Sequence, residues 1–395
     1  MESQPELVAS SKIPFLLPLL ALLAAFPPLS TDMYLPAIPH LGKLWSVDLK
    51  TINLTLICFF LSYSPALLVY GPLSDRFGRK IPLLAGLALF ISGSLLCAGA
   101  GSVQTLIYAR ILQGIGAAGP SALGLSITKD HYTGPERHKI LALIGIIVAL
   151  APMIGPTLGS WAMLAGDWHL IFVLQAGVAL VSFIGVLRIP ETNVFPRQIP
   201  LSRMAGPYLS LFKNRRFMLL TLLFAVSMCP FFAFIATSSE IYIIGFAVSE
   251  QAFGLYFGIN ALSLMAGSFI CMKLVMKLTD RMLLGLGFGG MVIGGLLLMG
   301  MPHSQVWFFT LPMCCISFCF GLTRPLCVNM VLETVNQDIG SASSLMMFVN
   351  FIFGALAMGL ISLCGEWKIM MIGFTAVSTS VLTLFVIRKA LYPEK

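Results

Sequence analysis

The sequence predicts an all-α polytopic membrane protein, with twelve transmembrane helices in two six-helix bundles. Three observations carry this prediction. The 395-residue chain is 58% hydrophobic and 10% charged, with a mean hydropathy of +0.93, whereas a soluble domain is about 45–50% apolar and about 25% charged. Apolar runs of roughly 18 to 25 residues recur from end to end, each long enough as a helix to cross a hydrocarbon core of about 30 Å. The longest polar break, 190–216, divides those runs six and six.

In chain order the spans lie near 14–39, 51–73, 81–101, 104–128, 138–162, 168–188, 217–242, 251–276, 282–301, 305–332, 340–364 and 367–388. The first contains FLLPLLALLAAFPPL (15–29), which has no charge. A signal peptide does not fit it, because the preceding residues carry Glu2 and Glu6 with only Lys12 as a base, and no clear small-residue cleavage site follows. Spans 2 and 3 are separated by Arg76, Arg79 and Lys80, and spans 4 and 5 by Lys129, Arg137 and Lys139. Between spans 6 and 7 come Arg188, Arg197, Arg203, Lys213, Arg215 and Arg216, and between spans 8 and 9 Lys277 and Arg281. The alternate loops offer only Lys43, Lys50 and Lys368. By the positive-inside rule both termini of this multi-pass protein are cytoplasmic. The domains expected are a first bundle over 1–189, a cytoplasmic linker over 190–216 and a second bundle over 217–395.

This layout removes several function classes. The formal charge of +8 is spread over short loops rather than gathered on a stripe, so no nucleic-acid partner is expected. Nearly all the cysteines fall inside spans, which argues against a disulfide framework. Cys315 and Cys319 share a helix face, but thiols are ordinary apolar fillers, and no metal or cofactor is expected. There is no Walker-type glycine-rich loop with its Lys and Ser/Thr, and no convergent nucleophile, base or metal cluster that an enzyme would need. A passive channel is the remaining rival, and dependence of uphill flux on a proton gradient separates it from a coupled transporter.

Asp32, Arg110, Glu240 and Arg324 are singled out as ionisable groups within the spans. A charge at the bilayer centre costs about 2.5–3.5 kcal/mol on insertion scales, so intramembrane charge marks function. If the halves are parallel repeats, helix 1 corresponds to helix 7 and helix 4 to helix 10, and the two acids and the two arginines fall in corresponding helices. At 1.5 Å per residue, Asp32 lies roughly 26 Å along helix 1 and Arg110 roughly 9 Å below the outer surface, so the two approach one level. A pairing of Glu240 with Arg324 is less secure, since Glu240 belongs near the outer end and Arg324 deeper toward the cytoplasm.

The stretch GPLSDRFGRKIPL (71–83) resembles the signature loop G-x-x-x-D-R-x-G-R-K/R between spans 2 and 3 of the major facilitator superfamily. That resemblance implies gating by Asp75 with Arg76 and Arg79, which latch neighbouring helix ends, and by Gly71 and Gly78, which permit tight approach. In helix 4, RILQGIGAAG (110–119) resembles the R-x-x-Q-G motif of the superfamily's proton antiporters, with Arg110, Gln113, Gly114, Ala117 and Ser121 along one face. In helix 5, APMIGPTLGSW (151–161) is similar to the antiporter motif. Its Pro152 and Pro156 remove backbone donors, and Gly155 and Gly159 admit close helix contact. STDMYLPAIP (30–39), GLYFGINAL (254–262) and GSASSLMMFVNFIFGALA (340–357) resemble helices 1, 8 and 11 of the Bcr/CflA drug-resistance efflux group. Glu240 in ATSSEIYI and Arg324 in GLTRPL depart from that group's uncharged positions.

Together these readings imply a proton-coupled antiporter that exports small amphipathic compounds such as antibiotics by alternating access. The alternative cargo is a polar or anionic metabolite such as a siderophore, amino acid or peptide. Proton coupling is assigned to Asp32 and Arg110, because burial favours the neutral acid while a guanidinium favours its carboxylate, and the opposition permits titration. Substrate binding is assigned to Asp32, Tyr63, Arg110, Gln113, Glu240, Tyr256, Asn260, Arg324 and Asn350. The expected partners are a small-molecule substrate, protons and the lipid bilayer, with the protein as a monomer.

Overall fold

The computed structural model describes residues 15–193, 206–335 and 338–391, and among them the regular structure is helical. Glu2, Glu6, Lys12, Arg197 and Arg203 lie outside the described residues.

Ten helices are long and apolar enough to cross a membrane. They are helix 2 (Leu49–Phe77), helix 3 (Lys80–Ala98), helix 5 (Gly134–Gly166), helix 6 (His169–Arg188), helix 7 (Arg215–Gly245), helix 8 (Glu250–Leu274), helix 9 (Asp280–Gly300), helix 10 (Val306–Leu332), helix 11 (Ile339–Ser362) and helix 12 (Lys368–Leu391). The other two of the twelve spans are helices 4 and 1. Helix 4 (Val103–His131) is diluted by Arg110, Gln113 and its small residues. Helix 1, expected as one span over 14–39, is instead three segments, Leu16–Ala24, Phe26–Asp32 and Ala37–Leu44. Its prolines explain the breaks: Pro27 and Pro28 cannot donate to Leu23 and Ala24, and Pro36 cannot extend the ladder past Asp32.

The packing repeats with an offset of six helices. Helix 4 packs on helices 2 and 3, and helix 3 on helix 6; helix 10 packs on helices 8 and 9, and helix 9 on helix 12. Helix 2 meets helix 11, and helix 5 meets helix 8, across the middle of the molecule.

The two ends of this central seam differ. At one end it is closed: Asn53 Nδ2 donates to Ser362 Oγ at 3.1 Å, Ser160 Oγ to the Glu250 carbonyl at 2.7 Å, and Ala37–Leu44 packs on the last turn of helix 7. At the end bearing the basic loops it opens into a cleft of about 420 Å³. Asp75, Arg76, Lys129 and Asp130 line one wall of that cleft, and Tyr208, Ser341 and Ser344 the other. Tyr208 belongs to a short linker helix, Gly206–Lys213, and its hydroxyl donates to the Leu68 carbonyl at 3.0 Å. That carbonyl lacks its usual donor because residue i+4 is Pro72.

Candidate functional site

The chemistry concentrates where helix 1 breaks. After Asp32 the helical ladder tightens into three-residue turns, with Tyr34 N donating to Thr31 O at 3.2 Å and Leu35 N to Asp32 O at 3.4 Å. The Ser30 carbonyl thereby loses the donor that an α-helix would give it at residue 34. It accepts instead from Arg110 Nη1 of helix 4 at 3.1 Å and, more distantly, from Gln175 Nε2 of helix 6 at 3.5 Å.

Arg110 is wholly buried, yet it has no ion-pair partner within 4.0 Å among the described residues. Nη1 donates to Ser30 O and Gln113 Oε1, whereas Nε and Nη2 find no acceptor. The guanidinium lies 4.4 Å from the centroid of Phe59 and 5.2 Å from that of Tyr34. Such desolvated cation–π contacts contribute about 2 kcal/mol, and each charge-assisted hydrogen bond about 1.5–3 kcal/mol. Gln113 then passes its amide to Ser94 Oγ and Gln175 Oε1, each at 2.8 Å.

Asp32, also buried, points elsewhere. Its Oδ1 accepts from Thr31 Oγ1 at 3.0 Å, and its Cβ lies over helix 5. A methyl group added at Gly155 would press on Asp32 Cβ, and one at Gly159 would collide with the Met33 carbonyl. The two glycines of the helix 5 motif therefore seat the one turn of helix 1 that carries the acid. Arg110 and Asp32 thus share a neighbourhood on helix 1 without touching as a salt bridge.

The other residues singled out by sequence occupy separate places. Tyr63 stacks on Phe59 at 6.0 Å and meets Phe351 of helix 11 edge-on at 5.0 Å, at the seam. Asn350 of helix 11 leaves Oδ1 buried without a partner. Tyr256 stacks on Tyr242 at 5.3 Å, and Asn260 Oδ1 accepts from Ser317 Oγ at 3.3 Å. Glu240 begins a π-helical turn, Glu240–Gly245, and receives Lys368 Nζ rather than Arg324. Arg324 is exposed, with no hydrogen-bond or ion-pair partner among the described residues. It stands one helical turn beyond Phe320, which stacks on Phe231 of helix 7 at 5.2 Å.

At the basic end, Arg79 joins Asp75 of its own loop to Asp130 of helix 4, with its Nε 2.9 Å from Asp130 Oδ2. Arg76 lies over the Phe77 ring at 5.1 Å and faces the cleft, as does Gly71, which has open space around it. Gly78 has φ +83°, and a side chain there would also strike the Glu191 carboxylate. Glu191 accepts from the backbone N–H of Arg79 at 2.7 Å and of Lys80 at 3.0 Å, capping helix 3. Burial pushes this carboxyl up, but the backbone donors of Asn193, Lys80 and Arg79 outweigh it and hold the group below its ordinary value. Pro152 and Pro156 lie inside helix 5.

Sequence reading did not find Gln175, Ser94 or Glu191. Gln175 had a signal, since it is an amide interrupting the apolar run of helix 6. Glu191 looked like one more polar residue in the linker.

Residues 20–358 match the family model described as Major Facilitator Superfamily. The chain belongs to that superfamily. It is 32% identical over 87% of its length to the uncharacterized MFS-type transporter YdgK of Bacillus subtilis, covering 88% of that protein. It is also 28% identical to a bicyclomycin resistance protein homolog of Haemophilus influenzae (87% of each chain). With the multidrug transporter MdfA of Yersinia pestis it shares 29% identity over 75% of this chain and 74% of that one. Among solved structures it superposes on the partially occluded inward-open xylose transporter XylE of E. coli with a TM-score of 0.75 and 15% identity, covering 96% and 98% of the two chains. That last likeness speaks for the fold. Superfamily membership makes this chain a membrane-spanning transporter of small molecules and not an enzyme.

Proposed function

We propose that the protein is a proton-coupled antiporter exporting small amphipathic compounds, such as antibiotics, from the cytoplasm across the bacterial inner membrane. The observation that carries this reading is the buried Asp32, without a cationic partner among the described residues and in a turn of helix 1 seated on Gly155 and Gly159 of the antiporter-like helix 5 motif. The names of the bicyclomycin resistance homolog and of MdfA support the cargo class. In this reading bundles over 1–189 and 217–395, joined by the linker 190–216, rock about the seam. With both termini cytoplasmic by the positive-inside rule, the cleft at the basic loops faces the cytoplasm, and Asp75, Arg76 and Arg79 form part of the gate there. The protein works as a monomer in the bilayer, without nucleic acid.

Asp32 binds a proton from outside, releases cargo, and returns the proton to the cytoplasm. The test is uptake into proteoliposomes with an imposed pH gradient: uphill movement of an amphipathic antibiotic that stops when the gradient is collapsed supports coupling. Flux that continues down its own gradient would instead indicate a channel.

One observation favours a second cargo. The exposed, unpartnered Arg324 offers an anion-binding group that a lipophilic cation does not need. A polar or anionic metabolite, such as a carboxylate siderophore, amino acid or peptide, would use it. In a competition assay, anionic metabolites moving while lipophilic cations do not would select this reading.

A further inference from the structure

Four groups from three helices close a ring beside the acid. Ser30 O of helix 1 accepts from Arg110 Nη1 at 3.1 Å; Arg110 Nη1 also donates to Gln113 Oε1; Gln113 Nε2 donates to Gln175 Oε1 at 2.8 Å; and Gln175 Nε2 returns to Ser30 O at 3.5 Å and to Leu29 O at 3.3 Å. The ring fixes both amide orientations. If the Gln113 amide turned over, its N–H group would face the guanidinium, and if the Gln175 amide turned over, its oxygen would face the Leu29 and Ser30 carbonyls. Gln175 is the only member contributed by helix 6, and without it neither the Gln113 amide nor the helix 1 carbonyls would be held from that side.

The ring spends Nη1 of Arg110 on a main-chain carbonyl two residues before Asp32, while Nε and Nη2 stay buried without acceptors. The same guanidinium therefore has two places to donate: the ring, or a carboxylate. The titratable groups that face Arg110 are Tyr34 of helix 1 and Cys97 of helix 3. Helix 2 presents Phe59 to it, helix 6 presents Phe172 and Gln175, and helix 5 presents Gly155 to the acid and Gly159 to the Met33 backbone. No cation pairs with Asp32 among the described residues.

We infer that Gln175 is a positioning residue for proton coupling: it closes the ring that keeps the Arg110 guanidinium committed to the helix 1 backbone and away from Asp32. Opening the ring transfers Arg110 toward the acid. This inference rests on the proposed role of Asp32 in proton coupling, and the test separates the two.

The near-isosteric Gln175→Met removes both amide contacts while keeping the volume, and Gln175→Leu serves if Gln175→Met inserts poorly. Each is reconstituted with the wild type, and gradient-driven transport is measured as a function of pH, with substrate affinity measured separately. A guanidinium nearer the acid favours its charged form, so the pH of half-maximal coupled transport should fall by about one unit, with KM changed less than kcat. Asp32→Asn is run alongside. If it abolishes uphill transport and the Gln175 variants keep the wild-type midpoint, Gln175 only packs and the inference falls alone. If Asp32→Asn transports uphill like the wild type, both fall together. A lowered midpoint in the Gln175 variants, with uphill transport abolished in Asp32→Asn, supports the ring.

Discussion

Helices 1 and 4 and helices 7 and 10 each carry one acid and one arginine at related places, and the protein treats the two pairs in opposite ways. Asp32 and Arg110 are buried, near each other and unpaired, with Arg110 held in an uncharged hydrogen-bond ring. Glu240 is pinned by Lys368 at the closed end, and Arg324 stands exposed without a partner among the described residues. Burial without an ionic partner is costly, so the first pair persists where surrounding packing determines it. Of the second pair, Arg324 sits where solvent or cargo can complete it. In the proposed function, the first six helices hold the proton and the last six meet what is carried.

The sharpest way to break this comparison is Asp32→Asn set against Glu240→Gln. The first should abolish accumulation against a gradient while leaving insertion intact; the second should keep uphill transport and raise KM severalfold. Equal loss in both, measured in the same proteoliposomes, would erase the distinction between the halves. Next in size is the seat beneath the acid. Gly159→Ala must displace the Met33 backbone and should cost about 1–3 kcal/mol of stability, whereas Gly285→Ala in helix 9, with open space around it, should stay within about 0.5 kcal/mol. Thermal unfolding in detergent measures both, and comparable costs would show that helix 5 is no special seat.

Much of this was legible beforehand. Length and hydropathy supplied the helices, and the small residues at 155 and 159 a close helix contact. Which helix they meet was not legible, because a glycine records that something comes close without naming it. Nor could spacing reveal that Arg110 would choose a carbonyl over Asp32. That outcome depends on prolines breaking helix 1 and exposing the Ser30 acceptor, and on Gln175 arriving from a helix distant in sequence. Lys368 was readable only as a loop base, since a partner at the start of helix 12 leaves no mark in the sequence around Glu240.

The smallest expected effect lies at the basic end. Glu191→Ala removes the carboxylate that caps helix 3 and should cost about 1 kcal/mol at neutral pH. Its folded value is depressed, so the stabilisation is present above the ordinary glutamate value of about 4.3 and is lost as pH falls through the lower folded value. The variant and the wild type should therefore converge in unfolding temperature on acidification, and a constant gap down to low pH would assign the effect to packing alone.

Pro72 leaves the Leu68 oxygen without a helical donor by covalent necessity rather than by conformation. Whatever shape the transporter takes, the inner wall of helix 2 keeps that vacant acceptor. When Tyr208 lets go, water, lipid or passing cargo must take its place. In the proposed rocking of the two bundles, a connector that would otherwise be mere string is thereby tied to each change of shape.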